Sequence, residues 1–237
     1  MTLVDLPTGM KGFDGVDLVP GCTYQDSSTV FICPTRGQVD VTVVEAWNRL
    51  VPVPNQRRHM LFMKGDEVGV AYNRALETIF NDYRLSRYKY VMTMEDDNIP
   101  PPDAHMRLLD RIQQNPEYDG IGGLYFKKEA PFQALLLGDP VRFATTGVFD
   151  ALPRDPRRYI EEGALVEVNC LPMGCTIYKM DLFRRLPKPW FATIANQHIR
   201  QTQDAMFCET AKWQGARFAV DCGLRVGHLD VATGTVY

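Results

Sequence analysis

Several features that would assign the chain to a class at once are missing from the sequence. No apolar run approaches the roughly 20 residues that a membrane-spanning helix requires. The first residues lack both the basic and the apolar region of a secretory signal. None of the six cysteines forms a C-x-x-C pair, so their spacing does not indicate a structural zinc site. We therefore expect reduced, buried thiols in a cytoplasmic protein with no membrane span.

A surplus of basic residues is also missing. The 237 residues include 26 Lys and Arg against 29 Asp and Glu, which gives a net charge of −3. This balance argues against a general nucleic-acid binder, because such proteins usually carry a basic footprint. The composition that remains is ordinary for a globular protein. It is 45% hydrophobic and 23% charged, which supplies enough apolar side chains for a sizeable core.

Strand-like and helix-like patterns alternate three times in the first half of the chain. Apolar runs rich in β-branched and aromatic residues predict three strands, at residues 29–33, 58–65 and 88–95. Helical spacing of apolar residues follows each of them. On the first helix we expect Val41, Val44, Trp47 and Leu50 to form the buried face. The alternation predicts an α/β fold with an open, twisted, mainly parallel sheet flanked by helices.

Three consecutive acids follow a nearly continuous apolar strand in "YVMTMEDDNIPPPD", residues 90–103. Ligands of open α/β sheets bind just beyond the carboxyl ends of the strands, where Glu95, Asp96 and Asp97 would lie. Adjacent acids are costly unless a cation neutralises them, and Mg²⁺ or Mn²⁺ is commonly held by carboxylates together with nucleotide phosphates. The alternative is that the acids only cap the turn after the strand.

The segment "VMTMEDDNIPPPD" resembles the D-x-D motif of GT-A fold glycosyltransferases, especially family 2-like members. Four further segments resemble motifs of that family in the same order: "VFICPTRG", "GDEVGVAYNRALE", "LPMGCTIYKMDLFRRLPKPWF" and "TQDAMFCETAKWQGARFAVDCGLRVGHL". The resemblance covers about residues 29–229. It implies a GT-A, Rossmann-like fold and a metal-dependent transfer of a sugar from a UDP- or GDP-linked donor to a hydroxyl acceptor. Inversion of the sugar is expected, and retention is the alternative.

The resemblance also implies a metal site for Mn²⁺ or Mg²⁺ that contains Asp97, His228 and Glu95. Glu95 stands where the family has the first Asp, and its extra methylene changes its reach. Asp97 is therefore the firmer ligand, and Asp96 is expected to contact ribose or the donor sugar. Imidazole is a competent ligand for this class of metal, although a histidine after an apolar strand is often structural.

Asp204 is the expected catalytic base. Glycosyl transfer to an alcohol requires removal of the acceptor proton, which a positioned carboxylate can accept. In the family that the sequence resembles, the base lies at the motif that reads "QTQDAMFC" here. The alternative is that Asp204 only caps the helix that follows.

Further residues are implied to contact the substrates. Those expected at the nucleotide or donor sugar are Pro34, Thr35, Arg36, Asp66 or Glu67, Arg74, Glu95, Asp96 and Gly174. Gly174 is included because a residue without Cβ lets a ligand approach the backbone. Trp190 and Phe191 are expected to stack on a sugar face, with core packing as the alternative.

The predicted organisation is an irregular N-terminal arm, residues 1–27, followed by one GT-A domain, residues 28–237. Its nucleotide-binding half spans about 28–126 and its acceptor-side half about 127–237. The segment 127–165 has no clear period, which is typical of a functional loop. Its arginines could close on phosphate or could be a solvated basic loop.

Two other functions remain open at this stage. A nucleotidyltransferase would use a similar carboxylate-bound metal, but "CPTRGQ" is a poor substitute for its Gly-rich basic phosphate loop. A non-catalytic nucleotide- or carbohydrate-binding module would bind the donor without turnover. Modified nucleic acid is a further acceptor to consider, and the acidic net charge argues against it.

Overall fold

The structure is a computed structural model that describes residues 25–128, 133–138, 156–195 and 200–237. Six α-helices occur in these residues: α1 Val41–Asn48, α2 Val68–Asn81, α3 Ala104–Gln114, α4 Pro156–Glu162, α5 Met180–Arg185 and α6 Gln203–Trp213. Twelve strands occur in the same residues: β1 Thr29–Thr35, β2 Arg58–Lys64, β3 Tyr90–Met94, β4 Asn98–Ile99, β5 Gly120–Leu124, β6 Leu165–Val168, β7 Cys175–Lys179, β8 Ile194–Ala195, β9 Arg200–Gln201, β10 Phe218–Arg225, β11 Gly227–Asp230 and β12 Thr235–Val236.

Seven strands form the central sheet, in the order β2-β1-β3-β7-β5-β10-β6. The pairs β1–β2, β1–β3 and β5–β10 are parallel. Strand β7 lies between β3 and β5 and is antiparallel to both, and β6 is antiparallel to β10 at the edge. Five of the seven strands therefore run in one direction, which confirms the predicted open, mainly parallel α/β sheet.

Each face of this sheet is covered by helices. Alternate residues of β1 point to opposite faces, as in any strand: Val30 and Ile32 join the core under α2 and α6, and Phe31 and Cys33 join the core under α1 and α3. Both cores take residues from strands of the first and of the second half of the chain. The predicted division into a nucleotide-binding and an acceptor-side half stays a prediction.

The buried face of α1 differs from the predicted one. Val41 is 78% exposed and Val44 is 38% exposed, whereas Val43, Ala46 and Trp47 are buried. Val43, Ala46, Trp47 and Leu50 also follow helical spacing, so two overlapping stripes were available. The sequence cannot choose between them, because Val occupies positions 41, 43 and 44 alike.

Other predictions fall partly outside the described residues. Of the predicted N-terminal arm, residues 1–24 lie outside them, as do residues 129–132 and 139–155 of the irregular segment. Five of the six cysteines are described, and all five are free and buried. None of the helices in the described residues combines the length and the apolar composition that crossing a bilayer requires.

Candidate functional site

The carboxyl ends of β1 and β3 open onto a common cleft. The two strands are parallel, with Ile32 paired to Thr93, so the residues that follow them emerge at the same edge of the sheet. This first cleft has a volume of about 490 Å³. Its lining contains eight residues named in the predictions and two others: Pro34, Thr35, Arg36, Asp66, Glu67, Glu95, Asp96 and Asp97, with Val68 and Gln203.

His228 reaches this edge through a second, smaller sheet. Strand β4 follows the acids directly, and its Asn98 pairs with His228 of β11 in an antiparallel ladder. The backbone N–H of Leu229 also donates to the carbonyl of Asp97, at 2.8 Å. The predicted partners Asp97 and His228 are therefore brought together, with 3.4 Å between Oδ2 of Asp97 and Nε2 of His228.

The tautomer of His228 is fixed by its other nitrogen. Nδ1 lies 3.1 Å from the carbonyl oxygen of Phe126. Because a carbonyl can only accept, Nδ1 carries a hydrogen, and Nε2 is the nitrogen that faces Asp97. A backbone carbonyl on the far nitrogen is the usual arrangement for a histidine that binds a metal.

Asp97 has two different oxygens. Oδ2 accepts from Nζ of Lys128 at 2.6 Å and faces His228, whereas Oδ1 is buried and has no hydrogen-bond partner among the residues that the structure describes. Burial opposes ionisation, but the contacts with His228 and Lys128 prevail and hold the pKa of Asp97 below its ordinary value. Asp97 is therefore an ionised carboxylate, and only its Oδ2 has partners in the described part of the chain.

Glu95 has the opposite electrostatic character. Its burial and the neighbouring carboxylates of Asp97, Asp204 and Asp96 raise its pKa to about 8. A hydrogen bond from the hydroxyl of Tyr72, at 3.4 Å, lowers the pKa but does not offset these effects. Glu95 is therefore mostly protonated at neutral pH. Its side chain is directed at helix α2, where Tyr72 lies, which makes it a poor partner for a metal on Asp97.

These residues fit a divalent cation in part. A carboxylate and an imidazole are both suitable ligands, and Oδ2 of Asp97 and Nε2 of His228 face each other. The predicted third ligand, Glu95, does not join them: within the described residues, no three His, Cys, Asp or Glu side chains form a group that could hold a metal. A metal here would thus need phosphate oxygens and water to complete its shell, as Mg²⁺ sites commonly do.

Asp204 lies close to this site but not as the helix cap. Helix α6 begins at Gln203, and the capping position is Thr202, so Asp204 belongs to the first turn. It is half-buried, and it is one of the carboxylates that raise the pKa of Glu95. Its neighbour Gln203 lines the first cleft. Its Oδ1 accepts from the N–H of Ala205 at 2.9 Å, so Asp204 satisfies one free N–H of the first turn although it is not the N-cap residue. The capping alternative therefore stays open, and a role at the cleft stays a prediction.

Two predicted nucleotide contacts pair with each other at the rim. Arg74 forms an ion pair with Asp66. Asp66 lines the first cleft, whereas the side chain of Arg74 is 58% exposed and is not part of the lining. Glu67 caps α2 by accepting from the N–H of Val70 at 3.0 Å, and it also accepts from the hydroxyl of Thr193 at 2.6 Å. Glu67 therefore has structural partners of its own.

Gly174 lacks a Cβ for a different reason from the predicted one. A Cβ at this position would come within 2.5 Å of Cγ of Asn98 and closer still to its Oδ1. The side chain of Asn98, which is only 2% exposed, therefore fills the space that was expected to admit a donor sugar. Gly174 positions the chain beside the acids, since its carbonyl accepts from the N–H of Glu95 at 3.2 Å.

Trp190 and Phe191 are core residues, so the expectation that they stack on a sugar is wrong for this structure. They are 3% and 2% exposed, and Phe191 stacks on Phe207 of α6 with 4.6 Å between ring centroids. Asn73 of α2 holds them by accepting from both of their N–H groups and donating to the carbonyl of Phe191 at 2.7 Å. This role of Asn73 was not predicted.

Lys128 is the other residue that the sequence did not reveal. It lies in the segment without a clear period, so nothing in the pattern linked it to Asp97. It lines a second cleft, of about 670 Å³, which meets the first at Arg36, Asp96 and Asp97. The other residues of the second cleft follow: Gln38, Val39, Asp40, Asp230, Val231 and Ala232.

Comparison with known proteins places this arrangement in a structural class. No family model and no curated protein sequence matches the chain. Among solved structures, A197 from STIV matches with a TM-score of 0.60 at 18% identity, over 86% of each chain. GalNAc-T7, crystallised with UDP, GalNAc and Mn²⁺, matches with a TM-score of 0.56 at 8% identity.

The fold is GT-A-like. The match to GalNAc-T7 covers 86% of this chain but only 44% of GalNAc-T7, so the likeness concerns one part of that protein. At these identities the comparisons establish the fold, and the two clefts at the carboxyl ends of the strands must be interpreted from their own residues.

Proposed function

We propose that the chain is a metal-dependent glycosyltransferase that moves a sugar from a nucleoside diphosphate sugar to a hydroxyl acceptor. The observation that carries the proposal is the pairing of Asp97 with His228 at a cleft beyond the carboxyl ends of parallel strands. The GT-A-like fold supports it, as does the presence of UDP, GalNAc and Mn²⁺ in the structure of GalNAc-T7.

In this proposal the first cleft takes the nucleotide. Pro34, Thr35 and Arg36 follow β1 and line the cleft together with Asp66 and Asp96. The guanidinium of Arg36 supplies positive charge for a diphosphate, since arginine suits phosphate geometry. Asp96 accepts from the backbone N–H of Arg36 at 3.3 Å, so the two loops are already joined on this side of the cleft.

Asp97 and His228 would hold Mn²⁺ or Mg²⁺ in this proposal. A divalent cation bound there would stabilise the negative charge that develops on the leaving diphosphate. Glu95, neutral at pH 7 because of its raised pKa, reduces the repulsion between this site and the phosphates.

Asp204 is the proposed base for an inverting displacement. The acceptor oxygen forms a bond to the anomeric carbon while the bond to the diphosphate breaks, and the acceptor proton passes to the carboxylate of Asp204. Its place in the first turn of α6, beside Gln203 of the cleft wall and near Glu95, supports this role.

The test is a screen of UDP- and GDP-sugars with Mn²⁺, repeated with EDTA and with Asp97→Ala. The proposal predicts release of the nucleoside diphosphate, by slow hydrolysis even without an acceptor, and loss of that release in both controls. Release of pyrophosphate would instead indicate a nucleotidyltransferase. Binding without turnover would indicate a non-catalytic module, and a chain that neither binds nor hydrolyses any donor would contradict the proposal.

A further inference from the structure

Lys128 already supplies a positive charge to the carboxylate of Asp97. The ammonium of Lys128 lies 2.6 Å from Oδ2, the same oxygen that His228 approaches at 3.4 Å. The side chains of Lys128 and Asp97 are only 30% and 27% exposed, so the pair is partly shielded from water. Oδ2 of Asp97, the oxygen that faces His228, is therefore already in contact with a positive charge.

A divalent cation at this oxygen would meet strong repulsion from the ammonium. Two positive charges within about 4 Å repel each other unless an anion separates them, and the effect grows as water is excluded. Oδ1 of Asp97 has no hydrogen-bond partner among the described residues, but it is buried, so a metal from the cleft would approach Oδ2, where Lys128 already lies. The metal and the ammonium would therefore compete for Oδ2.

We propose that Lys128 competes with the divalent cation for Asp97, so that metal loading exchanges a lysine ammonium for the metal. The inference rests on the proposed function, which supplies the metal. It assigns Lys128 a positioning role, because the residue controls which cation Asp97 holds.

The second cleft offers the displaced ammonium another carboxylate. Lys128 lines this cleft together with Asp230, which is half-buried. Hydrogen bonds from Thr233 and Ala232 lower the pKa of Asp230, and the charge of Lys128 adds to the effect, so the two side chains are within electrostatic reach. Lys128 can therefore leave Asp97 without losing every anionic partner, which keeps the exchange reversible.

The test measures Mn²⁺ binding to the full chain in the absence of nucleotide, by the electron paramagnetic resonance signal of free Mn²⁺. Lys128→Met removes the ammonium and keeps the length of the side chain. Lys127→Met is the matched control, since Lys127 is the exposed neighbour. We expect Lys128→Met to bind Mn²⁺ roughly fivefold more tightly than wild type, because a partly exposed ion pair is worth about 1 kcal/mol. Lys127→Met should match wild type, and Asp97→Asn in the Lys128→Met background should abolish the gain.

Mn²⁺ affinity that is unchanged or weaker in Lys128→Met, or no binding in either protein, would overturn the exchange. Lys128 would then be a permanent counter-ion of Asp97 or a ligand of the diphosphate. This failure differs from failure of the proposed function. If the Mn²⁺ affinity is unchanged and the donor is still turned over, only the exchange is contradicted. If Lys128→Met gains affinity through Asp97 but no nucleotide-sugar is turned over, only the proposed function is contradicted.

Discussion

Replacing Gly174 with alanine should destabilise the protein through a single neighbour, Asn98. The three atoms nearest to a Cβ at position 174 all belong to the Asn98 side chain, with Cγ at 2.5 Å and Nδ2 at 2.9 Å. Asn98 is 2% exposed and its backbone pairs with His228, so it has little room to move away. Forcing one extra carbon into such a site costs about 1–3 kcal/mol.

The assay is urea unfolding of a double-mutant cycle. We expect Gly174→Ala to lower the free energy of unfolding by about 2 kcal/mol. Asn98→Ala removes the colliding atoms, so the double variant should be more stable than the sum of the two single effects by at least about 1 kcal/mol. Gly174→Ala with wild-type stability, or a cycle in which the two effects simply add, would refute this explanation of the glycine.

Three further predictions concern residues that hold the fold together and line neither cleft. Burial lowers the pKa of His105 to about 4, whereas a histidine in the unfolded chain has a pKa of about 6.5. Between these pH values the unfolded state therefore binds more protons than the folded state. The free energy of unfolding should fall by about 3 kcal/mol as the pH drops from 7 to 4. Asp221→Asn removes the buried carboxylate that Arg107 and Arg111 share and should cost about 3 kcal/mol in urea unfolding. Asn73→Ala leaves the backbone groups of the Trp–Phe turn unpaired and should cost about 2 kcal/mol by the same measurement.

Each of these predictions has a matched control. His105→Gln cannot titrate in this range, so its stability should lose the steep part of the pH dependence; an unchanged pH profile would contradict the assignment to His105. Asp110→Asn changes an exposed carboxylate on the same helix as Arg107 and should have little effect. Asn81→Ala changes an exposed asparagine at the end of the same helix as Asn73 and should have little effect.

Local pattern was sufficient to predict the first half of the fold. Strand β3, which precedes Glu95, Asp96 and Asp97, is apolar along most of its length because both faces are covered. Parallel neighbours then bring the residues after β1 to the same edge, so most of the first cleft could be predicted. The meeting of His228 with Asp97 followed from the family resemblance.

Long-range packing determined what the sequence could not show. The antiparallel insertion of β7 between β3 and β5 depends on partners about 50 to 90 residues apart, which no local period encodes. The burial of Trp190 and Phe191 depends on Asn73, more than 100 residues away. Gly174 signalled a close approach, but only the structure identifies the neighbour as a side chain of the protein.

The most direct test of the central claim is the anomalous diffraction of Mn²⁺ in crystals grown with a nucleoside diphosphate. The proposed function predicts one strong peak in contact with the carboxylate of Asp97, Nε2 of His228 and the diphosphate, with Lys128 moved off Asp97. A diphosphate bound in the first cleft with Lys128 still on Asp97 and no Mn²⁺ beside it, or Mn²⁺ bound only elsewhere, would contradict the claim that these residues form a metal site.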